Sequence, residues 1–375
     1  MRTLNFLIKP ASSLCGLRCR YCFYADEAAN RSQENMGLMT AETVDLLLSK
    51  TFQTIEAGGL VSFAFQGGEP TMVGIAWFRE FVRKARRDCP KGVGLAFSIQ
   101  TNGMTLDEEW AVFFREERFL VGLSMDGVKD NHNRWRLDAQ GKGTWNRVVK
   151  ALALLQKHRV EVNVLCVVTG ACAKSPEKIY RELKKLGARY FQFIPCLDPL
   201  ETERGSQPWS LPPKAYGDFL CRLFDLWYQD WEKGDYHSVR LFEDYVHQLL
   251  GGGGGTCSTC GQCGAYLVVE GDGSVYPCDF FALDQWRLGS LRENSLEELL
   301  TGEREKEFLA WGREKPAECL LCRWRILCNG GCKNDWLPGK PAHNAYCGAF
   351  RQFFSHAEKR LAVVARAEQM ARRGR

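Results

Sequence analysis

Six times between Leu4 and Trp231, a short run of apolar and β-branched residues gives way to a longer stretch of helical periodicity. The runs are Leu4–Ile8, Leu60–Phe65, Val93–Ile99, Phe119–Leu123, Val160–Val168 and Tyr190–Ile194. The helical stretches are Thr40–Glu56, Trp77–Asp88, Glu108–Glu116, Trp145–Lys157, Pro176–Leu186 and Pro213–Trp231. In the first of these, Val44, Leu47, Leu48 and Phe52 fall near helical spacing. Successive strand–helix pairs build a parallel sheet, because each crossover lays its helix back on the sheet. Six pairs close partway into a barrel or lie open as a doubly wound sheet, and the class is α/β in both cases.

The phase of the polar residues favours a partial (β/α)6 TIM-like barrel. The Cys15–Cys22 loop follows the first strand, Gln66-Gly67-Gly68-Glu69-Pro70 the second and Gln100-Thr101-Asn102-Gly103 the third. Ser124-Met125-Asp126-Gly127 follows the fourth, with Asn133 and Arg136 downstream, and Pro195-Cys196-Leu197-Asp198 follows the sixth. Barrels of βα units assemble their active sites from loops at this one face. Past about Lys233 the alternation is expected to stop, dividing the chain into a barrel over 1–233 and a second region over 234–375. That region opens on Gly251–Gly255, read as a flexible joint. Gly271-Asp272-Gly273, between Val268–Glu270 and Val275–Tyr276, predicts a small hairpin. The amphipathic tail from Phe350 to Arg375 predicts a solvated terminal helix that frays.

Composition narrows the chemistry. The 375 residues carry 50 basic and 45 acidic side chains, a balance of +5 too weak and dispersed to point to nucleic acid. No stretch reaches the roughly 18 consecutive apolar residues of a membrane span. The N-terminus is broken by Asn5, Lys9 and Pro10, unlike a secretory signal, so a cytoplasmic location is expected. The cysteine count is 17, odd in a chain with no export signal, which favours metal or redox chemistry over a disulfide framework.

The cysteines cluster at two places. Cys15, Cys19 and Cys22 form C-x3-C-x2-C, and nine more lie between Cys257 and Cys347. Short spacings let several thiolates converge on one centre at little closure entropy. A four-iron cluster normally takes four thiolates, so three in one loop leave an iron open to an exogenous ligand. A zinc site completed by a remote ligand is the alternative. In the last third, Cys319-x2-Cys322-x5-Cys328-x3-Cys332 is followed by Cys347, with Cys263, Gly273 and Cys278 upstream and Cys257 as an eighth thiol. Eight thiolates suffice for two fully ligated four-iron clusters, and two zinc ribbons are the alternative. Cys89, Cys166, Cys172, Cys196 and Cys221 are most simply small buried hydrophobes. Cys260 competes with Cys263 for a ligand place, and the spacing to Gly273 favours Cys263.

With the aromatic Tyr21 before its third cysteine, the first motif resembles the signature of the radical S-adenosylmethionine superfamily, and Gly67-Gly68-Glu69-Pro70 resembles its Gly-Gly-Glu-Pro segment. The later cysteines resemble a SPASM domain. Leu7–Ser13, Phe63–Thr71, Val121–Gly127, Leu197–Leu200 and Gly273–Phe280 are similar to the anaerobic sulfatase-maturating enzymes, in a match running from about Leu4 to about Leu361. The departures are the glycine run with Cys260 and the Asn334–Asn344 loop.

The resemblance implies three 4Fe-4S clusters. Cys15, Cys19 and Cys22 hold the one that binds S-adenosylmethionine; Cys257, Cys263, Cys278 and Cys332 hold a second, and Cys319, Cys322, Cys328 and Cys347 a third. It implies that Tyr21, Gly68, Glu69, Ser124, Arg136 and Leu197 contact S-adenosylmethionine, the glycines allowing close backbone approach to the ligand. The implied reaction oxidises a cysteine or serine of an unfolded sulfatase polypeptide, in a Cys/Ser-x-Pro-x-Arg type motif, to Cα-formylglycine. A 5′-deoxyadenosyl radical abstracts a Cβ hydrogen, a base takes the thiol or hydroxyl proton, and one electron leaves. Asp279 is the expected base, with burial expected to raise its basicity; a hairpin-capping role is the alternative. Tyr24 and Gln66 are expected to touch the peptide. An electron donor such as flavodoxin or ferredoxin is implied, and no nucleic acid or membrane partner. The rivals are a SPASM peptide maturase forming thioether or carbon–carbon links and a non-catalytic iron–sulfur or zinc protein.

Overall fold

The computed structural model describes residues 1–337 and 342–373. Part of the Asn334–Asn344 loop and the last two residues of the tail therefore lie outside the described residues. The chain forms two compact units, one of Met1–Met125, His132–Asn163 and Gly264–Phe308, the other of Asp126–Asn131, Val164–Cys263 and Leu309–Arg375.

In the first unit, β1 (Thr3–Ile8), β2 (Leu60–Phe65), β3 (Gly94–Thr101) and β4 (Leu120–Ser124) run parallel in sequence order. Register places Phe6 beside Phe63 and Phe63 beside Phe97. The helices between are α1 (Phe23–Ala29), α2 (Ala41–Thr54), α3 (Ile75–Asp88) and α4 (Glu108–Glu116). Start signals are local: the Thr40 side chain accepts from the Thr43 N–H at 3.2 Å and Asp107 from the Trp110 N–H at 3.1 Å, the expected N-cap geometry. One face of the sheet is sealed by aromatics, with Phe65 centred 4.9 Å from Phe78 and 5.1 Å from Phe81. Each buried ring contributes roughly 1.5–3 kcal/mol of apolar transfer. Downstream, α5 (Lys129–Trp135) leads to α6 (Trp145–Lys157).

β5 (Glu161–Val168), which enters the second unit at Val164, and β6 (Tyr190–Pro195) are parallel, connected by α7 (Pro176–Lys185) and followed by α8 (Pro213–Glu232). These bring the βα units to six, within about two residues of the expected strand and helix limits, and the class is α/β with predominantly parallel strands. The alternation runs further than the sequence suggested. A two-residue β7 (Ser238–Val239) pairs parallel with β6, and α9 (Arg240–Leu249) follows it. Two residues are too few to register as a strand in a pattern of apolar runs.

Three further expectations are corrected or extended. The hairpin forms, as β8 (Leu267–Val269) and β9 (Ser274–Tyr276), but β8 also pairs parallel with β1, matching Phe6 to Leu267 and Ile8 to Val269. β10 (Gly289–Ser290) extends the same sheet antiparallel to β9. Within the glycine run Gly254 and Gly255 are closely approached, whereas Gly251 and Gly253 face open space. A Cβ on Gly255 would lie 2.2 Å from the Asp244 carboxylate, and one on Gly254 would lie 2.5 Å from Thr259 Oγ1. The tail is one helix, Cys347–Arg373, and it is not solvated all round: Phe353, Phe354 and Leu361 are buried. Phe353 stacks on Phe242 of α9 at 5.5 Å and meets Phe224 of α8 edge-on at 5.7 Å. No helix among the described residues is long and apolar enough to cross a membrane.

Candidate active site and thiol clusters

The loop after β1 carries Cys15, Cys19 and Cys22, and backbone hydrogen bonds hold it from two sides. Gly68 N–H donates to Ser12 O at 2.8 Å and Glu69 N–H to Leu14 O at 2.7 Å. Arg18 N–H donates to Leu137 O at 2.7 Å and Arg20 N–H to Trp135 O at 3.0 Å. A Cβ on Gly68 would sit 2.3 Å from Leu14 O and 2.6 Å from Ser13 C, so the close approach of the cysteine loop's own backbone by itself requires glycine here. Cys22 then stands at the position immediately before α1.

Glu69, 1% exposed, is the hub of this site. Its Oε1 accepts from Thr71 N–H at 3.1 Å, Thr71 Oγ1 at 2.6 Å and Thr101 Oγ1 at 2.8 Å, while Oε2 accepts from Asn102 N–H at 2.7 Å. Burial raises its pKa, and these hydrogen bonds oppose the rise. Two lone pairs per oxygen leave Oε2 with capacity for a further donor, the chemistry an ammonium offers. Asn102 also points its Nδ2 at Cys15 Sγ, 3.6 Å away, and Leu17 N–H approaches that sulfur at 3.4 Å. Burial pushes the Cys15 thiol up, while these donors pull it back toward thiolate. Tyr21 faces the Arg136 guanidinium at 5.5 Å, and both Arg136 and Ser124 are buried. Arg136 is thus not a surface charge. Leu197 lies half-buried beyond β6 in the second unit.

Tyr24, Gln66 and Asp279 come together. β8 beside β1 and the turn after β9 bring Asp279 next to α1, where it is 7% exposed. Tyr24 OH lies 3.1 Å from Gln66 Oε1 and 3.2 Å from Asp279 Oδ2, so one proton is shared between two acceptors. Burial, reinforced by the Asp279 charge, lifts the Tyr24 pKa well above 10, and the phenol remains a donor at neutral pH. Tyr266, which the sequence reading missed, donates to Asp279 Oδ1 at 2.5 Å. Beneath lies a buried ionic network that was also missed. Lys9 Nζ bonds Glu27 at 2.9 Å and Glu270 at 2.7 Å, Arg31 bonds Glu270 at 2.6 Å, and Glu27 Oε1 accepts from Ala282 N–H at 2.9 Å. It ties α1 to the hairpin segment. The available signal was a charge ending each of two apolar strands, Lys9 after β1 and Glu270 after β8.

In the second unit Cys319, Cys322, Cys328 and Cys347 line one cavity of about 500 Å³ together with Cys263 and Lys315. Burial pushes the Cys328 thiol up to about 11, and the charges of Cys347, Cys319 and Cys322 add to the rise. Cys332 is raised well above 9, chiefly by burial, with Cys257 and Cys263 contributing. The Cys260 sulfur lies 2.9 Å from Gly254 O, an interaction of its own that Cys263 is not engaged in. Cys278 belongs to the first unit. Thiols crowded and buried in this way ionise when a metal centre takes up the charge, so the donor set fits iron–sulfur ligation. Of the scattered cysteines, Cys166, Cys172 and Cys196 are buried as expected, whereas Cys89 and Cys221 are half-buried.

A three-cysteine loop at the head of βα units, with a second thiol-rich region, defines a radical S-adenosylmethionine enzyme carrying auxiliary clusters. Comparison bears this out: residues 10–183 match the radical SAM superfamily and residues 257–323 an iron–sulfur cluster-binding SPASM domain. A cysteine-type anaerobic sulfatase-maturating enzyme of Clostridium novyi (strain NT) is 41% identical over 98% of this chain and 98% of its own. A serine-type enzyme of Bacteroides thetaiotaomicron is 28% identical over 95% of this chain and 89% of its own. A solved structure, native anSMEcpe with bound AdoMet and Cp18Cys peptide, superposes with a TM-score of 0.92 at 40% identity, covering 97% of this chain and 99% of that one.

The chain belongs to the anaerobic sulfatase-maturating enzymes. Its activity is radical S-adenosylmethionine oxidation in sulfatase maturation, and its cofactors are S-adenosylmethionine and 4Fe-4S clusters, a count of three fitting the family.

Proposed function

We propose that the target is a cysteine in an unfolded sulfatase segment of the Cys-x-Pro-x-Arg type, converted to Cα-formylglycine with Asp279 as the base. The observation that carries this is the meeting of Tyr24, Gln66 and Asp279 at one buried point. The choice of cysteine over serine is supported by 41% identity to a cysteine-type enzyme against 28% to a serine-type one. Cys15, Cys19 and Cys22 hold the catalytic cluster, and Tyr21, Gly68, Glu69, Ser124, Arg136 and Leu197 serve S-adenosylmethionine. Cys319, Cys322, Cys328 and Cys347 hold one auxiliary cluster; Cys257, Cys263 and Cys332, joined by Cys278, hold the other. The electron donor is a flavodoxin or ferredoxin, and the setting is the cytoplasm.

Held by Cys15, Cys19 and Cys22, the cluster with S-adenosylmethionine would supply hydrogen-atom abstraction at the target Cβ; the second electron would leave to an oxidised auxiliary centre, and water would replace the sulfur, released as hydrogen sulfide. The chain's own residues position the peptide and move the proton. Tyr266 fixes one oxygen of Asp279 and Tyr24 the other, leaving an acceptor position on Oδ2 for the substrate thiol. Gln66 competes for the Tyr24 proton, so the Tyr24–Asp279 bond can loosen as Asp279 takes the thiol proton. Near-attack geometry is the prerequisite for both transfers.

The test incubates reduced, reconstituted protein with paired peptides carrying Cys or Ser in that motif and reads their mass. Formylglycine from the cysteine peptide is expected. An intact peptide beside cofactor cleavage sinks the reading, and a peptide carrying a thioether link points to the crosslinking rival. Asp279→Asn should cut formylglycine formation about 10²–10⁴-fold while 5′-deoxyadenosine still forms; full activity removes Asp279 from its role.

A further inference from the structure

The second unit places a partly buried ammonium among its thiols. Lys315 lines the cavity that Cys319 and Cys328 share. Its side chain is positioned by contacts that leave little freedom: Nζ donates to Gly312 O at 3.1 Å and lies 4.4 Å from the centre of the Trp336 ring. Gly330, at φ +84°, makes room for it, since a Cβ there would come within 3.0–3.1 Å of Lys315 Cδ, Cε and Nζ. The other charged residues lining the cavity, Arg313, Glu318, Arg325 and Arg351, are exposed, and water and salt screen them. Lys315 is half-buried, and desolvation lowers its pKa against the pull of four thiolates. Those four are Cys263 and Cys332, and Cys319 and Cys328. In the cavity itself, Cys263 of one auxiliary ligand set and Cys319, Cys322, Cys328 and Cys347 of the other share the lining with Lys315, so one cation adjoins members of both.

We propose that Lys315 is an electrostatic bridge between the two auxiliary clusters, a positioning residue whose fixed charge raises the reduction potential of each. The inference rests on the ligand assignment above. A cube held by four thiolates gains negative charge on reduction, and a nearby cation in a medium of low dielectric stabilises that added electron. Because the same ammonium faces thiols of both sets, its charge offsets part of the repulsion between two anionic centres.

The experiment uses the full, anaerobically reconstituted chain with its three clusters. Iron content and potentiometric titration followed by electron paramagnetic resonance are compared among wild type, Lys315→Met and Lys315→Arg. Lys315→Met keeps the length of the stem and removes the charge. The expected result is wild-type iron, a shift of both auxiliary midpoint potentials to more negative values, and return toward wild type in Lys315→Arg. The cluster at Cys15, Cys19 and Cys22 is the reference within each sample, and its potential should stay put. Unmoved auxiliary potentials in fully loaded Lys315→Met overturn the proposal, as does a shift confined to one auxiliary cluster. Iron loss from Lys315→Met that Lys315→Arg fails to repair overturns it as well, because packing is then the role of the side chain. Failure of the ligand assignment shows separately, as wild-type protein holding fewer than about twelve irons.

Discussion

Three thiols of the first unit sit on a loop whose backbone is docked to its neighbours through Gly68, Glu69, Arg18 and Arg20. In the second unit Cys257, Cys319, Cys322 and Cys328 sit on or beside helical turns of four residues, Cys257–Cys260, Ala317–Leu320 and Arg325–Cys328, while Cys347 opens the long tail helix. A single turn of helix pays the nucleation cost with almost no propagation to recover it. The first region therefore draws its shape from main-chain bonds and a buried, hydrogen-bonded carboxylate, the short turns of the second from whatever their sulfurs bind. Tasks follow from this. A site that must leave one iron open for an exchangeable ligand is shaped by protein, whereas fully ligated clusters supply their own scaffold.

Metal removal should break the symmetry between the two regions most strongly. Structural metal binding in small cysteine-rich segments is worth on the order of 10 kcal/mol. After anaerobic chelation, hydrogen exchange at the three cysteine turns should rise to near-unfolded rates, while the amides of Gly68, Glu69, Arg18 and Arg20 keep their protection. Equal loss in both regions would show that the first loop, too, is shaped by metal. A smaller effect is expected from Gly68→Ala, whose Cβ meets carbonyl backbone that cannot swing away. It should cost about 1–3 kcal/mol of overpacking and lower iron from about twelve to about eight per chain, sparing the auxiliary clusters. Gly253→Ala is the control, because its Cβ would meet nothing within 4 Å. Wild-type iron in Gly68→Ala would remove the docking from its role.

Much of this was legible in the chain because it is local. Six strands and their helices follow from apolar periodicity, with limits that the structure reproduces to about two residues. The three-thiol loop and Glu69 were readable because their spacing and phase after a strand are set by neighbours in sequence. What stayed hidden depends on partners far along the chain. The hairpin pattern predicts β8 and β9 but carries no mark of β1 as a third partner, 260 residues away, and that pairing is what delivers Asp279 to Tyr24. Tyr266 reads as one more aromatic before a strand until Asp279 is beside it. The glycine run looks like a spacer because composition shows missing side chains and not the Asp244 and Thr259 atoms that fill their place at Gly255 and Gly254.

Two buried carboxyls offer the finest test of how the units differ. Burial lifts Glu27 of the first unit to about 7, against the pull of Lys9, and lifts Asp335 of the second to about 6, opposed by Arg204. Glu27 has its ammonium partner at 2.9 Å, while the Arg204–Asp335 approach is 4.0 Å. In each case the folded state holds the proton more tightly than the unfolded chain, whose ordinary values are 4.5 and 3.8. The stability this contributes is full below those values and is lost as pH rises through about 7 for Glu27 and about 6 for Asp335. The loss is at most about 3.5 kcal/mol for Glu27 and about 3 kcal/mol for Asp335, from roughly 1.4 kcal/mol for each unit of pKa. Glu27→Gln should flatten the decline between pH 4.5 and 7 for amides of the first unit, and Asp335→Asn the decline between pH 3.8 and 6 for amides of the second. Hydrogen exchange read unit by unit separates the two. A slope unchanged in either variant would mean that the carboxyl stays ionised on folding, with the Lys9 or Arg204 charge outweighing burial.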